Sequence, residues 1–352
     1  MEDERSLTGH KCHGTMKTGL VIGKFLPPHR GHLYLIDVAR AHCDRLIVVV
    51  CDRAGDVVEA RSRAGWLREL YPDVDVRVVP DIGFDDDSKK WAAYTVEFLG
   101  FAPDIVFTSE DYGEPYAKFL GAEHYLVDHE RKGVFMSGTT VRADVSKAWS
   151  YLPPQVRVHF VRRVAVVGAE STGTTTLARA LAERYETTWV PEYGREYSEE
   201  KMRRGVLEWK SDEFIHIAVE QLRRENEAAR NAKHLLVCDT DAFATTLWHE
   251  RYMGLPSETV ARIADQVVHD LYILTGDEIP FVQDGFRDGE HIRHGMQRRF
   301  FEELKRTGRP YLHVEGSPEE RLAAASRAVD KLLTLPHGRR LTQAHIDESL
   351  AR

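Results

Sequence analysis

The sequence predicts an α/β protein of two domains, each organised on a parallel sheet. Three observations lead there. Short β-branched apolar runs alternate with helix-period segments along most of the 352 residues, the pattern of repeated βαβ units with right-handed crossovers. The alternation breaks at Leu152-Pro153-Pro154, where paired prolines stop regular structure. On each side of that break a strand-like run passes through a glycine-bearing loop into a helix-like run. Such junctions lie at the carboxyl edge of a parallel sheet, where these folds bind ligands. The expected organisation is a disordered polar leader over 1–15, a first domain over 16–150, a second over 160–335, and a polar tail over 336–352. This length suits about two hydrophobic cores.

Composition excludes some classes. A net charge of −8 implies no basic face, so no nucleic-acid partner is expected. The longest apolar runs are strand-length, so no membrane partner is expected either. No signal-type segment opens the chain. Cys12, Cys43, Cys51 and Cys238 show no paired spacing, and a reducing, cytoplasmic location follows as the default. His10, Cys12 and His13 would suggest a metal site only if the leader were structured. The oligomeric state stays open, a homo-oligomer included.

In the first domain, residues 19–23 read as a buried strand and residues 33–42 as a helix. Between them lies Gly23-Lys24-Phe25-Leu26-Pro27-Pro28-His29-Arg30-Gly31-His32. His29 and His32, one helical turn apart, can face one ligand. The helix start suits an anion, and Gly31 allows close approach to the backbone. Residues 46–51 form a strand buried on both faces. A helix carrying Trp66, Leu67 and Leu70 follows, with Arg61, Arg63 and Arg68 nearby. Residues 76–79 make a strand, 91–99 a helix and 104–108 a strand. In Ser137-Gly138-Thr139-Thr140-Val141-Arg142, Ser137 caps a helix whose first turn and Arg142 can hold an anion.

In the second domain, residues 163–168 read as a strand and 177–183 as a helix, joined by Gly168-Ala169-Glu170-Ser171-Thr172-Gly173-Thr174-Thr175. This fits the phosphate-cradling loop G-x-x-x-x-G-K-[ST] except that Thr174 stands in the Lys position. Thr175 keeps the hydroxyl that binds Mg²⁺. A strand near Trp189 ends in the cluster Glu192-Tyr193-Gly194-Arg195. Residues 212–232 form an amphipathic helix, with Phe214, Ile215, Ala218 and Leu222 on its core face. Residues 235–241 are a buried strand ending in two carboxylates, Asp239 and Asp241, suited to organising Mg²⁺. Strands at 271–274 and 311–314 enclose a Gly- and Arg-rich loop over 284–293, a lid with Arg287 and Arg293. Ser317, Pro318 and Glu320 open a last helix as cap, N1 and N3. The tail after Leu335 gives no signal.

The stretch around His29 and His32 resembles the H-x-G-H signature of the nucleotidyltransferases, and Ser137 to Arg142 resembles their I-S-x-T-x-[IV]-R signature. Together with Phe107 to Gly113, the Gly168 loop, Glu192 to Arg195, Asp239 to Asp241 and Asp284 to Arg287, the chain resembles the bifunctional NadR family over 16 to about 330. Its members join a nicotinamide mononucleotide adenylyltransferase to a ribosylnicotinamide kinase. The implied fold is a Rossmann-like nucleotidyltransferase followed by a P-loop kinase-like parallel sheet. Some members carry an N-terminal helix-turn-helix repressor domain. Only a polar leader precedes the first strand here, so that function is not expected.

The resemblance implies NAD biosynthesis, with ATP, nicotinamide mononucleotide and nicotinamide riboside as partners and Mg²⁺ entering with ATP. His29 and His32 are the implied catalytic pair. Gly23, Lys24, Phe25, Gly31, Ser137, Thr139 and Arg142 are the implied ATP-binding set, and Trp91 either stacks on nicotinamide or fills core. In the second domain Glu192 is the implied base. Gly168, Ser171, Gly173, Thr174 and Thr175 form the phosphate loop, Thr175 and Asp239 hold the metal, and Tyr193, Arg195 and Asp241 hold the riboside. Thr174 removes a cation, so the expected kinase is weak unless Arg287, Arg293 or Arg195 replaces it. Two alternatives remain: an adenylyltransferase for a flavin or pantetheine phosphate, and a nucleotide sensor whose phosphate loop binds without turnover.

Overall fold

The computed structural model describes residues 16–350 except 85, 131, 135, 286 and 288, without the side chains of 349 and 350. The leader with His10, Cys12 and His13 lies outside the described residues. The chain divides into two compact units, Met1–Pro153 and Pro154–Arg352. The division falls inside the Leu152-Pro153-Pro154 run, and the helix Pro154–Phe160 goes with the second unit.

The first unit is built on five parallel strands: β1 (Thr18–Gly23), β2 (Arg45–Asp52), β3 (Asp75–Pro80), β4 (Ile105–Thr108) and β5 (Glu123–Leu126). Their order is β3-β2-β1-β4-β5. The chain winds outward from β1 on one side, then returns to build β4 and β5 on the other. The carboxyl end of β1 is therefore the topological switch point. Val48 and Val50 of β2 face one apolar layer, with Ile36 and Leu67. Ile47 and Val49 face the opposite layer, with Val106 and Tyr116. That two-sided burial explains why β2 reads as a continuous apolar run.

The second unit repeats the plan with β6 (Arg162–Val167), β7 (Thr188–Val190), β8 (Leu235–Asp239), β9 (Leu271–Thr275) and β10 (Tyr311–Val314). The order is β10-β9-β6-β8-β7, which makes β6 central. Val164 and Val166 face one apolar cluster and Ala165 and Val167 the other. Among the described residues, no helix is long and apolar enough to cross a membrane.

Several segments depart from the sequence expectation, three of them as follows. The loop expected over 284–293 gives way at Glu290 to the helix Glu290–Arg306, which takes Arg293 into a buried position. The polar tail contains the helix Gln343–Leu350, and Leu341 and Ile346 complete one core layer. Among the described residues, two apolar side chains anchor this segment, too few to show a period. β5 was not expected either: it is a short edge strand of half-buried and exposed residues with no apolar run to announce it.

Candidate active sites of the two units

In the first unit the site grows from the end of β1. Arg63, an arginine on an otherwise apolar helix face, is fully buried and fixes the following loop. It donates to the Lys24 and Cys51 carbonyls and pairs with Asp56 at 2.7 Å. The helix Arg30–His42 starts three residues before its apolar pattern, because His29 caps it: Nδ1 accepts from the Gly31 N–H at 3.1 Å. The His29 and His32 rings lie 3.8 Å apart between centroids, and Phe25 sits 5.0 Å from His32. A side chain on Gly31 would meet the His29 ring at 3.0 Å. The glycine thus makes room for the histidine.

Ser137 caps the helix Gly138–Ala143 by accepting from the Thr140 N–H at 3.1 Å. Arg142 reaches across 116 residues to the Leu26 carbonyl at 3.0 Å and to Thr139 Oγ1 at 3.1 Å. The two sequence signatures are thereby joined at one cavity of about 480 Å³, lined among others by Lys24, His32, Trp91, Ser137, Thr139 and Arg142. Gly23 and Phe25 also line it. His29 and Gly31 face a smaller adjoining recess that shares His32 and Ser137. Sequence reasoning passed over Asp81 and Tyr112 in the large cavity. Asp81 Oδ1 accepts from the Gly83 N–H, and Tyr112 donates to the Ile22 carbonyl.

In the second unit β6 runs into the loop 168–173. A Cβ on Gly168 would lie 2.5 Å from Thr275 Oγ1 and 2.6 Å from Thr172 Oγ1, so only glycine fits there. Gly173 has φ +86, the left-handed region that admits the turn into the helix Thr174–Arg184. Thr175 Oγ1 donates to Asp239 Oδ2 at 2.5 Å. Asp239 is 2% exposed, and its Oδ1 is buried with no hydrogen-bond partner among the described residues. A buried carboxylate oxygen left over beside a hydroxyl suits a hard divalent cation.

Glu192 is half-buried and lines a cavity together with Thr175. Burial, and then the nearby Asp239 carboxylate, push its pKa up to about 8. Burial also raises Asp239, against the hydroxyls of Thr175 and Thr174. A cation between them would relieve both. The cavity, about 380 Å³, is also lined by Arg195 and Arg287 and by an aromatic wall of Trp209, Phe214, Trp248 and Tyr252. Trp209 stacks 4.9 Å from Phe214 and 5.2 Å from Tyr252. Sequence reasoning missed this wall, because its members come from two helices and the loop before one of them, with core-like spacing.

Three residues expected at this cavity lie elsewhere. Asp241 caps the helix Ala242–Met253 through the Ala244 N–H at 3.0 Å and accepts from Tyr272 OH at 2.8 Å. It also lies 3.2 Å from His269 Nδ1. Burial works to raise its pKa, but His269, Ala244 and Tyr272 outweigh that and hold it low. Tyr193 turns away, with its hydroxyl on His216 Nε2 and its ring under Arg224. Arg293 is 1% exposed and sits behind the phosphate loop, donating to the Ser171 carbonyl at 3.0 Å.

Comparison with known proteins finds relatives along most of the chain. Residues 163–321 match the AAA domain family. The trifunctional NAD biosynthesis/regulator protein NadR of Escherichia coli strain K12 is 30% identical over 321 residues, covering 84% of this chain and 78% of that protein. The nicotinamide-nucleotide adenylyltransferase of Thermococcus onnurineus is 23% identical over 194 residues, covering 50% of this chain and 99% of its own. Two crystal structures of NadR protein share the fold at 21% identity. One, in complex with NAD and AMP-PNP, gives a TM-score of 0.69 and covers 93% of this chain and 98% of that one. The other, in complex with NR, gives 0.70 and covers 96% of each chain.

Proposed function

The chain belongs to the NadR family, and from that premise we propose that its two units catalyse consecutive steps: phosphorylation of nicotinamide riboside, then adenylylation of the resulting mononucleotide. It is an enzyme of NAD biosynthesis with nicotinamide-nucleotide adenylyltransferase activity. The observation that carries the first-unit assignment is the convergence of His32, Lys24, Ser137 and Arg142 on one cavity from segments more than a hundred residues apart. A phosphate oxygen of nicotinamide mononucleotide attacks the α-phosphorus of ATP, and pyrophosphate leaves. The nucleophile is already ionised, so the protein supplies position and charge. His32 and Arg142 hold the triphosphate, with Lys24 and Thr139 beside them. His29 fixes the helix end and its neighbouring ring. Trp91 offers a flat face for the pyridinium ring.

In the second unit Glu192 takes the proton of the riboside 5′-hydroxyl. The aromatic wall of Trp209, Trp248 and Tyr252 suits the cationic nicotinamide ring, and Arg195 is the polar contact at that end. Thr175 and Asp239 fit Mg²⁺, which when bound offsets phosphate charge. The test is incubation of the purified protein with ATP and Mg²⁺, plus nicotinamide riboside or its mononucleotide in separate reactions, with products read by mass. NAD from the mononucleotide and mononucleotide from the riboside are expected. Adenylylation of flavin mononucleotide or phosphopantetheine instead, with no NAD formed, refutes the assignment.

A further inference from the structure

The phosphate loop of the second unit lacks its usual cation, since Thr174 follows Gly173 where loops of this type carry Lys. Among the described residues, four arginines donate to the loop carbonyls or line the cavity. Two of them are committed behind it. Arg293 donates to the Ser171 carbonyl, and Arg321 donates to the Thr172 carbonyl at 2.6 Å and to the Gly276 carbonyl at 3.1 Å. Arg321 also pairs with Glu278 at 2.7 Å. They are 1% and 5% exposed, and neither lines the cavity. They brace the loop backbone.

Among the described residues, the cations that line the cavity are Arg195 and Arg287. They come close together on Asp284 Oδ2 and differ in what else holds them. Arg195 opens the helix Tyr193–Arg203 beside Glu192 and is held by Glu199 at 2.9 Å. Arg287 donates to the Val282 carbonyl, and the Val282 N–H in turn donates to Ser171 Oγ of the phosphate loop at 2.9 Å. Arg287 is thus tied to the loop within one residue. Asp284 bridges the pair, 2.5 Å from Arg195 Nη2 and 3.3 Å from Arg287 Nε.

We propose that Arg287 performs the charge compensation that the loop Lys performs in its relatives by motif, placing its guanidinium on the β- and γ-phosphates of ATP. The proposal rests on the reading of this unit as a riboside kinase. In the step it serves, the riboside 5′-oxygen bonds to the γ-phosphorus while the bond from that phosphorus to the β,γ-bridging oxygen breaks. The hydroxyl proton passes to Glu192, and ADP leaves carrying the electron pair of the broken bond. Negative charge grows on the bridging oxygen as it leaves, so a nearby planar cation is worth more in the transition state than in the ground state. Asp284 keeps that cation in place before nucleotide arrives.

The experiment is a rescue series in the full chain, following mononucleotide formation from nicotinamide riboside at saturating ATP. Arg287→Ala is expected to lower kcat about 10²–10³-fold with a smaller change in KM for ATP, the usual cost of one preorganised donor. Arg287→Lys is expected to fall between that variant and the native protein. Adding Thr174→Lys to Arg287→Ala is expected to recover at least about a tenfold share, because the ammonium then occupies the ordinary loop position. Melting temperatures of all variants check folding. Native turnover that survives Arg287→Ala overturns the proposal and leaves the kinase reading standing. The proposal is equally overturned if the native protein is inactive and Thr174→Lys alone switches it on, since then nothing replaces the Lys. Absence of turnover in both the native protein and Thr174→Lys overturns the kinase reading itself.

Discussion

Asp241→Ala separates a structural role from a substrate role. The sequence suggests that this carboxylate holds the riboside, but it is 2% exposed and supports three groups. It caps a helix at Ala244, accepts from Tyr272 and faces His269. Loss of the cap costs about 1 kcal/mol, and leaving the Tyr272 hydroxyl unpartnered costs about 1–3 kcal/mol. His269 is the larger concern. Burial opposes its charge, yet Glu225 and Asp241 raise its pKa well above the ordinary histidine value. Removing one partner of such a buried pair costs about 3–5 kcal/mol. The three losses share one carboxylate and do not add. Deprotonation of His269 gives back part, so the net is about 3–5 kcal/mol. In a unit of this size about 1 kcal/mol moves the midpoint by roughly 2–4 °C, which predicts a fall of about 6–20 °C in the second unit's calorimetric transition. The two units need not melt together, so that transition is fitted by itself. Asp241→Asn keeps an acceptor for the cap and loses less. An Asp241→Ala protein that melts like the native one yet no longer binds nicotinamide riboside would refute this account.

Four further outcomes follow from the same distances. Glu192 must be ionised to take a proton, and its pKa of about 8 means that kinase kcat/KM rises with pH through that region. Glu192→Gln removes the limb together with most of the rate. His32→Ala is expected to lower adenylyltransferase kcat about 10²–10³-fold, measured by NAD formation with the melting temperature unchanged. Gly168→Ala forces a methyl against the Thr172 and Thr275 hydroxyls, and a loss of about 1–3 kcal/mol with weakened ATP binding is expected by calorimetry. Ile346→Ala opens a hole in the core layer that the tail completes and should destabilise the second unit by about 2–5 kcal/mol, read from its melting transition.

All the strands but β5 were legible, most because buried parallel strands leave continuous apolar runs, as in Val48, Val49 and Val50. The phosphate loop and the histidine pair were legible because their glycines, Gly168 and Gly31, stand at fixed spacings from the residues they make room for, Thr172 and His29. Legibility ends where a side chain's partners are distant in sequence. Apart from its cap on Ala244, nothing local says that Asp241 turns inward, since its other partners, Tyr272 and His269, lie on another segment. Arg293 looked like a lid residue for the same reason. Its run is rich in Gly and charge, while the helix that buries it is set by Met296 and Phe300 further on. The aromatic wall meets only when the helices Ser211–Ala229 and Ala242–Met253 pack side by side.

The charges of the second cavity give its arginines a further role. Glu192 follows the end of β7 and Asp239 ends β8; burial raises the pKa of both, and the Asp239 carboxylate raises Glu192 further. Arg195 and Arg287 both pull Glu192 back down, so they stabilise the ionised form that a base requires. A Lys at 174 would add its ammonium beside Asp239, which already receives the hydroxyls of Thr174 and Thr175. That would bring a second cation near the Asp239 oxygen that, among the described residues, has no hydrogen bond. With Thr174 in place, Asp239 is left to the metal and the phosphate charge falls to a cation on the facing loop. The lost Lys and the Arg287 tether are then one arrangement, and the two substitutions should be strongly non-additive when combined.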